Sequence, residues 1–433
     1  MLLLPPCPHP SAPILVGYSG GLDSTVLLHV LAGHAAARAN GLRAIHVHHG
    51  LHADADAWAE QCARTCTALD VPLSVAHVVV EHGSGLGLEG AARAARHRAF
   101  NDALHGGEIL ALAHHRDDQA ETFLLRALRG SGVDGLAAMR AWRAQGRGWL
   151  WRPLLGVPRH ALREYASAHG LQWIEDPSNA DEGFDRSFLR TRLMPVLRER
   201  WPHADAALAR SAALAAQAAD LLEIEDAQAL AGLRRDNCTL DAAGLLALPA
   251  ARRARVVRRW IAELGLPPLP GSGVHAIESD LLQANAGAEA RYEWAGACVQ
   301  RWRDLLHADV LRAPLSEDWS CGWDGRAPLQ LPTGDGLELS GAAGFDAPLR
   351  VHARRGGERI MLPGRSHHHA LKHVLQARAV PPWERARLPL LSDTGGELLA
   401  AGDGILSAGF DAWLNGRGAR LHWRKLAECR ANQ

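Results

Sequence analysis

The sequence predicts an α/β fold, in which a parallel-sheet domain is followed by a mainly helical domain and a small α+β C-terminal domain. Three observations lead to this prediction. Short apolar runs alternate with longer helical patterns in the first half of the chain, which is typical of a parallel sheet with crossover helices. An alanine-rich helical pattern follows, and short strand-like runs return near the end. At 433 residues, the chain also exceeds the size of one ordinary hydrophobic core.

The spacing of apolar residues gives the individual elements. Short apolar runs predict strands, and longer stretches with apolar residues three or four positions apart predict helices. In the first domain the predicted strands are Ile14–Tyr18, Arg43–Val47, Leu73–Val80 and Glu108–Ala113, and the predicted helices are Ser24–Ala37, Ala53–Leu69, Leu88–Leu104 and Ala120–Arg129. Later helices are predicted at Ala204–Ala231 and Pro249–Leu264, and later strands at Leu349–Ala353 and Glu397–Ala401. We therefore expect domains at 1–205, 206–312 and 337–421, with a Pro-, Gly- and Ser-rich linker at 313–336.

Composition narrows the class of protein. Lys and Arg together number 47, as do Asp and Glu, so a polyanionic partner would need a local cluster of positive charge. Seven cysteines without a CxxC pair predict neither a disulfide framework nor a metal–thiolate site. No apolar run approaches the length of a membrane span, and prolines interrupt the first residues before a signal sequence can form. We expect a cytoplasmic protein with no membrane partner.

A glycine-containing segment lies directly between the first predicted strand and the first predicted helix. Two glycines let the backbone turn so that successive amides face one point, and the helix end adds its unpaired amides and partial positive charge. Such a point suits a phosphate group. The predicted phosphate-binding residues are Ser19, Gly20, Gly21, Leu22, Asp23 and Ser24. Asp23 is also a predicted Mg²⁺ ligand; the alternative is a plain strand-to-helix turn with Ser24 as the helix cap.

Polar residues also follow the last predicted strand of this domain. The carboxyl ends of parallel strands share one edge of a sheet, so His114 and Asp118 should face the same crevice as the glycine segment. We predict that Asp118 shares the metal with Asp23, and that His114 meets charge developing on a phosphate or accepts a proton. The alternative makes Asp117 a helix cap and the histidines ordinary loop residues.

The glycine segment resembles the pyrophosphate-binding loop (PP-loop) of N-type ATP pyrophosphatases, and no Walker-type GK[ST] follows the glycines. Taken with motifs spread along the chain, it resembles the tRNA(Ile)-lysidine synthetases from near its start to about Ser407. Those motifs are His46–Leu51, His114–Thr122, Arg129–Gly132, Trp151–Leu155, Glu175–Asn179, Arg186–Arg190, Arg200–Pro202, Arg355–Glu358, Leu371–Lys372, Pro381–Arg385 and Pro389–Leu390. One departure is Ser187, where the family usually has Asn, and it leaves the role of that position open.

The resemblance implies an ATP- and Mg²⁺-dependent ligase. Such an enzyme adenylates the wobble cytidine of the isoleucine tRNA with a CAU anticodon, and L-lysine then displaces AMP to form lysidine. Glu89, Arg93 and Arg96 form a charged stripe that on its own indicates only a solvated helix face. The resemblance implies that this stretch lines the active site, so Arg93 and Arg96 join Asp23, His114 and Asp118 as predicted catalytic residues. The glycine segment becomes the predicted ATP site.

A tRNA substrate should bind to a local excess of positive charge. The C-terminal domain has such an excess between Val351 and Leu390. The predicted tRNA-binding residues are Arg190, Arg354, Arg355, Arg359, Lys372 and Arg385. Trp383 could stack on a base, but packing in a small core is the preferred interpretation. A homodimer is left open.

Two other functions remain as alternatives. A PP-loop tRNA thiolation enzyme would use the same adenylation, but such enzymes usually carry cysteine pairs, which this chain lacks. A noncatalytic tRNA-binding protein with a vestigial loop is the second alternative, and the intact Asp23 and Asp118 argue against it.

Overall fold

The computed structural model describes residues 3–80, 87–176, 183–283 and 290–426. It divides into two compact units, Met1–Glu223 and Ile224–Gln433. Within the described residues, no helix combines the length and the apolar character needed to cross a membrane.

The first unit is built on a six-stranded sheet in the order β3-β2-β1-β4-β6-β5, parallel except for its edge strand β5. Its strands are β1 (Ile14–Gly17), β2 (Leu42–His48), β3 (Leu73–His77), β4 (Ile109–Ala111), β5 (Trp142–Gln145) and β6 (Gly148–Trp151). Its helices are α1 (Leu22–Ala32), α2 (Ala35–Ala39), α3 (Ala55–Ala68), α4 (Gly87–Ala103), α5 (Arg116–Leu128), α6 (Val133–Leu136), α7 (Arg159–Ala168), α8 (Asp185–Phe188), α9 (Met194–Arg200) and α10 (Ala204–Leu233), the last of which runs past the unit boundary. The predicted α/β class is confirmed.

The strand order creates a crevice between β1 and β4. The chain proceeds from β1 to β2 and β3 on one side, and then crosses to β4 on the other side of β1. Ligands of open parallel sheets bind at such a reversal, outside the carboxyl ends of the strands. The segments after β1 and after β4 meet there, and they contain the two predicted site clusters.

Several element boundaries differ from those predicted. The first predicted helix breaks at Gly33, which follows α1, and α2 continues after it. Helix α5 begins at Arg116, four residues before the predicted start, because a histidine side chain caps it. The hairpin of β5 and β6, which the apolar pattern did not predict, adds β6 beside β4.

The second unit begins with helices and an antiparallel sheet in the order β7-β8-β11-β10-β9. The strands are β7 (Arg234–Asp236), β8 (Thr239–Asp241), β9 (Arg291–Trp294), β10 (Ala297–Trp302) and β11 (Leu305–Val310), and the helices are α11 (Ala242–Ala247), α12 (Ala250–Glu263) and α13 (Gly271–Ala276), followed by a π-helical turn at Ile277–Leu281. Trp260 of α12 is fully buried in the core that these elements share.

The C-terminal part of the second unit is built from short antiparallel strands. They are β12 (Ser320–Trp323), β13 (Leu329–Gln330), β14 (Gly336–Ser340), β15 (Leu349–His352), β16 (Arg359–Ile360), β17 (His369–Ala370), β18 (Leu390–Ser392), β19 (Leu398–Ala401), β20 (Ile405–Leu406) and β21 (Arg420–Arg424), with helices α14 (Leu371–Ala377), α15 (Pro382–Arg385) and α16 (Ala408–Arg417). Strands β12 and β13 lie within the stretch predicted as a linker. Trp383 stacks on His307 with ring centroids 4.3 Å apart, in agreement with the packing interpretation of this tryptophan.

Candidate nucleotide site

The segment after β1 forms a tight turn that leads directly into α1. Gly20 has φ +82°, and Gly21 is the residue before the helix. The first intrahelical bond runs from the Thr25 amide to the Gly21 carbonyl (3.0 Å), so the preceding amides have no acceptor within the helix. The Ser24 hydroxyl donates to the Gly21 carbonyl (3.0 Å), which fixes the turn. The arrangement presents amides and a helix end to one point, as a phosphate site requires.

Gly20 has no room for a side chain. A Cβ at this position would overlap the Ile174 side chain and lie 2.9 Å from Cys62 Sγ, and its φ is one that L-residues rarely adopt. We expect Gly20→Ala to cost about 2 kcal/mol or more, from backbone strain and overpacking together. Thermal unfolding and calorimetry with a nonhydrolysable ATP analogue measure the loss. Gly106→Ala is the control, since a Cβ at Gly106 meets nothing within 4 Å; equal effects of the two changes would contradict this account.

A reciprocal cap places the polar residues after β4. The His115 amide donates to Asp118 Oδ2 (3.0 Å), and the Asp118 amide donates to His115 Nδ1 (3.3 Å). Both residues are buried. His115, and not Asp117, therefore caps α5, and the cap turns the Asp118 carboxylate toward the crevice.

Asp23 and Asp118 approach each other through His115. Its Nε2 lies 3.5 Å from Asp23 Oδ2 and 3.4 Å from Asp118 Oδ2. Burial alone would lower the pKa of His115, but the surrounding carboxylates, Asp23 first among them, outweigh burial and raise it. The two predicted acidic residues thus face one imidazole at the sheet edge.

Two arginines bind Asp118 and Glu121 in one network. Arg186 Nε and Arg190 Nε donate to Glu121 at 2.9 and 2.8 Å, and both residues' Nη2 atoms donate to Asp118 Oδ1 at 2.8 and 3.1 Å. Burial raises the pKa of Asp118, but His115 and Arg186 outweigh it and lower the pKa to about 2. Burial likewise lowers the pKa of Arg190, and the hydrogen bond with Glu121 more than reverses this effect. Asp118 is therefore ionised at neutral pH.

Arg190 lies in a π-helical turn. Helix α8 continues into π-helical residues Leu189–Leu193, where the Met194 amide bonds to the Leu189 carbonyl. Pro195 at the start of α9 has no amide hydrogen and cannot complete the ordinary helical pattern, so the chain widens here.

His114 lies beside cations and is uncharged. Arg152 Nε donates to its Nδ1 at 3.1 Å. Burial lowers the pKa of His114 to about 3; nearby Asp118 opposes this effect, whereas Arg152, Arg186 and Arg96 add to it. The neutral imidazole is therefore the form expected at neutral pH, and the catalytic role of His114 stays a prediction.

The predicted arginines of α4 act on this site through their charge. Arg96 contributes to the lowered pKa of His114, and Arg93 to the lowered pKa of Arg152, in each case after burial. Their catalytic role stays a prediction. The side chain of Glu89 and residues 177–182, which include part of one family motif, lie outside the described residues.

Sequence reasoning missed three residues of this site, namely His115, Glu121 and Arg186. A signal was present for two of them. Glu121 is one helical turn after Asp118, and Arg186 is one turn before Arg190, so each pair shares a helix face. The spacing does not show that the two faces meet.

Asp23 and Asp118, the two predicted magnesium ligands, have the carboxylate oxygens that magnesium prefers, and one is better placed than the other. Asp23 Oδ1 is buried and has no hydrogen-bond partner, and Arg159 Nε lies 3.9 Å from it. Asp118 Oδ1 accepts from two arginines, whereas its Oδ2 accepts from the His115 amide. Of the two predicted ligands, Asp23 thus has an oxygen without a hydrogen-bond partner, and Asp118 could bind a metal only if an arginine moved.

Comparison with known proteins identifies the family. A PP-loop domain matches residues 4–197, a TilS substrate binding domain matches 240–307, and a TilS substrate C-terminal domain matches 349–423. The chain is 54% identical to a tRNA(Ile)-lysidine synthase of Xanthomonas axonopodis pv. citri, over 97% of this chain and 96% of the relative. The chain belongs to the tRNA(Ile)-lysidine synthase family. It is also 52% identical to the tRNA(Ile)-lysidine synthase of Xylella fastidiosa (strain Temecula1), over 97% of both chains.

In this member of the tRNA(Ile)-lysidine synthase family, the predicted tRNA-binding residues lie in different places. Arg190 belongs to the network around Asp118 in the first unit. Arg355 and Arg359 are exposed in the second unit, where Arg355 donates to the Glu317 carbonyl (2.9 Å) and Arg359 donates to the His368 carbonyl (2.7 Å).

The remaining predicted contacts also belong to the second unit. Arg354 lies 3.9 Å from Glu358, and Lys372 is exposed on α14. Arg385 donates to the Val380 carbonyl (2.6 Å), and its guanidinium lies 5.7 Å from the centre of the Trp302 ring. Arg359 also lines a cavity of about 320 Å³.

Proposed function

We propose that this chain ligates L-lysine to C2 of the wobble cytidine of the isoleucine tRNA with a CAU anticodon, through an adenylated cytidine. The main structural support for this proposal is that Asp23 and Asp118 both lie within 3.5 Å of His115 Nε2, in the crevice that also holds the Gly20 turn. The family supports the substrate, since relatives named tRNA(Ile)-lysidine synthase match nearly the whole chain. The product would read AUA in place of AUG.

In the first step, the cytosine O2 attacks the α-phosphorus of ATP and the bond to pyrophosphate breaks. We assign the β- and γ-phosphates to the amides after Gly20, because that turn and the helix end attract negative charge. We assign the stabilisation of the charge that develops as pyrophosphate leaves to Arg186 and Arg190, the two cations that contact Asp118. A magnesium ion held by Asp23 would neutralise phosphate charge, and Asp118 would join it after releasing an arginine.

In the second step, the lysine amine attacks C2 and AMP leaves. The amine must be neutral and must lose a proton as the C–N bond forms. AMP departs with the electron pair of the C2–O bond.

A reconstituted reaction tests this function. Purified protein, ATP, Mg²⁺, [¹⁴C]lysine and an unmodified transcript of the tRNA should give pyrophosphate, AMP and labelled tRNA whose mass increases by one lysine residue. Leaving out Mg²⁺ should stop pyrophosphate release. A transcript with a different wobble base is the matched control, and labelling of both transcripts would contradict the assignment.

The thiolation alternative is disfavoured by the thiols near the site. Burial raises the pKa of Cys62 to about 12 and that of Cys66 to about 11, so neither thiol readily forms the thiolate that sulfur transfer needs. Replacing Cys62 with serine should leave lysine incorporation intact. The six cysteines in the described ranges are free thiols, and we propose the cytoplasm as the compartment.

We further propose that exposed arginines of the C-terminal part contact tRNA phosphates. Replacing Arg355 and Arg359 with alanine should weaken tRNA binding and reduce the slope of log K against log salt by about 1 to 2, roughly one per lost phosphate contact. Filter binding over a range of salt concentrations measures the slope. The control is Arg326→Ala, whose side chain is 78% exposed in the same part of the chain. A slope unchanged in the double variant, or reduced equally by the control, would exclude this surface.

A further inference from the structure

The residue after β6, Arg152, makes a partly buried contact with the predicted catalytic His114. Arg152 Nε donates to His114 Nδ1 at 3.1 Å, and Arg152 Nη1 donates to the Arg140 carbonyl at 2.7 Å. The Arg152 amide also bonds to the Ala141 carbonyl (2.8 Å). Arg152 is only 6% exposed. Backbone and side chain are thus fixed together, and the guanidinium holds one position against the imidazole.

This contact determines which nitrogen of His114 carries the proton. A guanidinium has only donors, so the nitrogen facing it must present a lone pair. In a neutral imidazole, the proton then sits on the other nitrogen. Nδ1 is the acceptor here, and Nε2 is the donor.

We propose that Arg152 is a positioning residue that fixes His114 as the neutral tautomer with its proton on Nε2, so that His114 donates a hydrogen bond and does not accept a proton. The proposal rests on the place of His114 in the function proposed above. Its consequence is specific: neither nitrogen of His114 can accept the lysine proton while Arg152 is in place, so the general base of the second step is another group.

The electrostatic surroundings agree with the geometry. The pKa of Arg152 is lowered to about 10 by burial and by Arg143, Arg93 and Arg126, yet the guanidinium remains charged at neutral pH. Its charge, with that of Arg186 and Arg96, disfavours a second proton on His114. The charge of Asp118 raises the pKa of His114, but burial and the three arginines together outweigh it.

The tautomer can be read directly in the full-length protein. Long-range ¹H–¹⁵N spectra of histidine-labelled protein distinguish the two neutral tautomers and the imidazolium, and the signal absent from His114→Gln identifies His114. We expect the Nε2–H pattern in the wild type and in Arg152→Lys, and a mixture of tautomers in Arg152→Met. A wild-type Nδ1–H pattern, or an unchanged pattern in Arg152→Met, overturns the proposal whether or not the protein modifies tRNA.

Kinetics test whether the tautomer is used. We expect Arg152→Met to lower kcat for lysine incorporation tenfold to a hundredfold with the KM for ATP little changed, and Arg152→Lys to restore most of it. Arg143→Met is the matched control, since it removes a cation from the same cluster without touching His114. An equal loss in Arg143→Met would show a general charge effect and overturn the proposal.

A second pair of variants covers the case in which Arg152→Met does not fold. The amide nitrogen of glutamine reaches the position of Nε2, whereas that of asparagine reaches the position of Nδ1. His114→Gln should therefore keep more activity than His114→Asn. If His114→Asn keeps more activity than His114→Gln, the proposal is overturned. If the wild-type protein does not ligate lysine to tRNA at all, the proposed function is refuted, but the tautomer measured by NMR still stands.

Discussion

Replacing Asp23 with asparagine is expected to reduce pyrophosphate release at least a hundredfold while leaving the protein folded. The change keeps the size of the side chain but removes the charge that would hold magnesium against the phosphates. Asp23 Oδ1 has no hydrogen-bond partner, and asparagine keeps an oxygen for the 3.5 Å contact with His115 Nε2, so we expect the fold to tolerate the change. The measurement is tRNA-dependent pyrophosphate release at saturating ATP, together with the thermal unfolding midpoint.

The matched control for this prediction is Asp70→Asn. The Asp70 side chain is 95% exposed and its φ of 52° is one that asparagine tolerates well, so rate and stability should stay close to wild type. Asp118→Asn should also abolish activity, but it should destabilise the protein too, because two arginines lose their shared acceptor. A wild-type rate in either Asp23→Asn or Asp118→Asn would refute the site assignment.

Replacing Glu121 with alanine is expected to destabilise the first unit by about 3 kcal/mol. The Glu121 side chain is 3% exposed and accepts hydrogen bonds from both Arg186 and Arg190. Removing one side of a buried ion pair leaves the other charge without its partner, which typically costs 3–5 kcal/mol. Because Arg186 and Arg190 are partly exposed, we expect a loss of stability at the lower end of this range. Differential scanning calorimetry should show the unfolding transition of the first unit shifted to lower temperature.

An exposed ion pair in the same unit provides the comparison. Asp185 and Arg129 are 3.3 Å apart with side chains 75% and 69% exposed, and such pairs contribute less than about 1 kcal/mol. Asp185→Ala should therefore leave the calorimetric trace nearly unchanged. Equal shifts for Glu121→Ala and Asp185→Ala would mean that the buried Glu121 network contributes no more stability than an exposed ion pair.

The parallel sheet and the position of its ligand-binding edge could be predicted because both depend on local patterns. Apolar runs define β1 and β4, and the residues that follow a parallel strand must lie at its carboxyl end. The approach of Asp23 to Asp118 follows from that rule alone. The hairpin of β5 and β6 escaped prediction because its short tryptophan-containing runs give no clear period.

The finer chemistry of the site depends on contacts distant in sequence. The sequence of two adjacent histidines does not show that His115 caps a helix while His114 contacts Arg152. The roles of the two histidines depend on the position of Arg152, which follows β6 and is distant from them in sequence. In the same way, Arg190 looks like a tRNA contact in the sequence and lies against Glu121 in the fold. The type of a residue predicts the charge that it carries, but it does not predict which residue it contacts in the fold.

The contact between Ile174 and Gly20 has a consequence during synthesis on the ribosome. The Ile174 amide donates to the Gly20 carbonyl (2.9 Å), and its side chain occupies the space beside that glycine. The turn is translated early, but the residue that supports it emerges about 150 positions later. A nascent chain truncated before Ile174 therefore lacks the residue that packs against its phosphate-binding turn, so we expect that turn to become fixed only after most of the first unit has been synthesised.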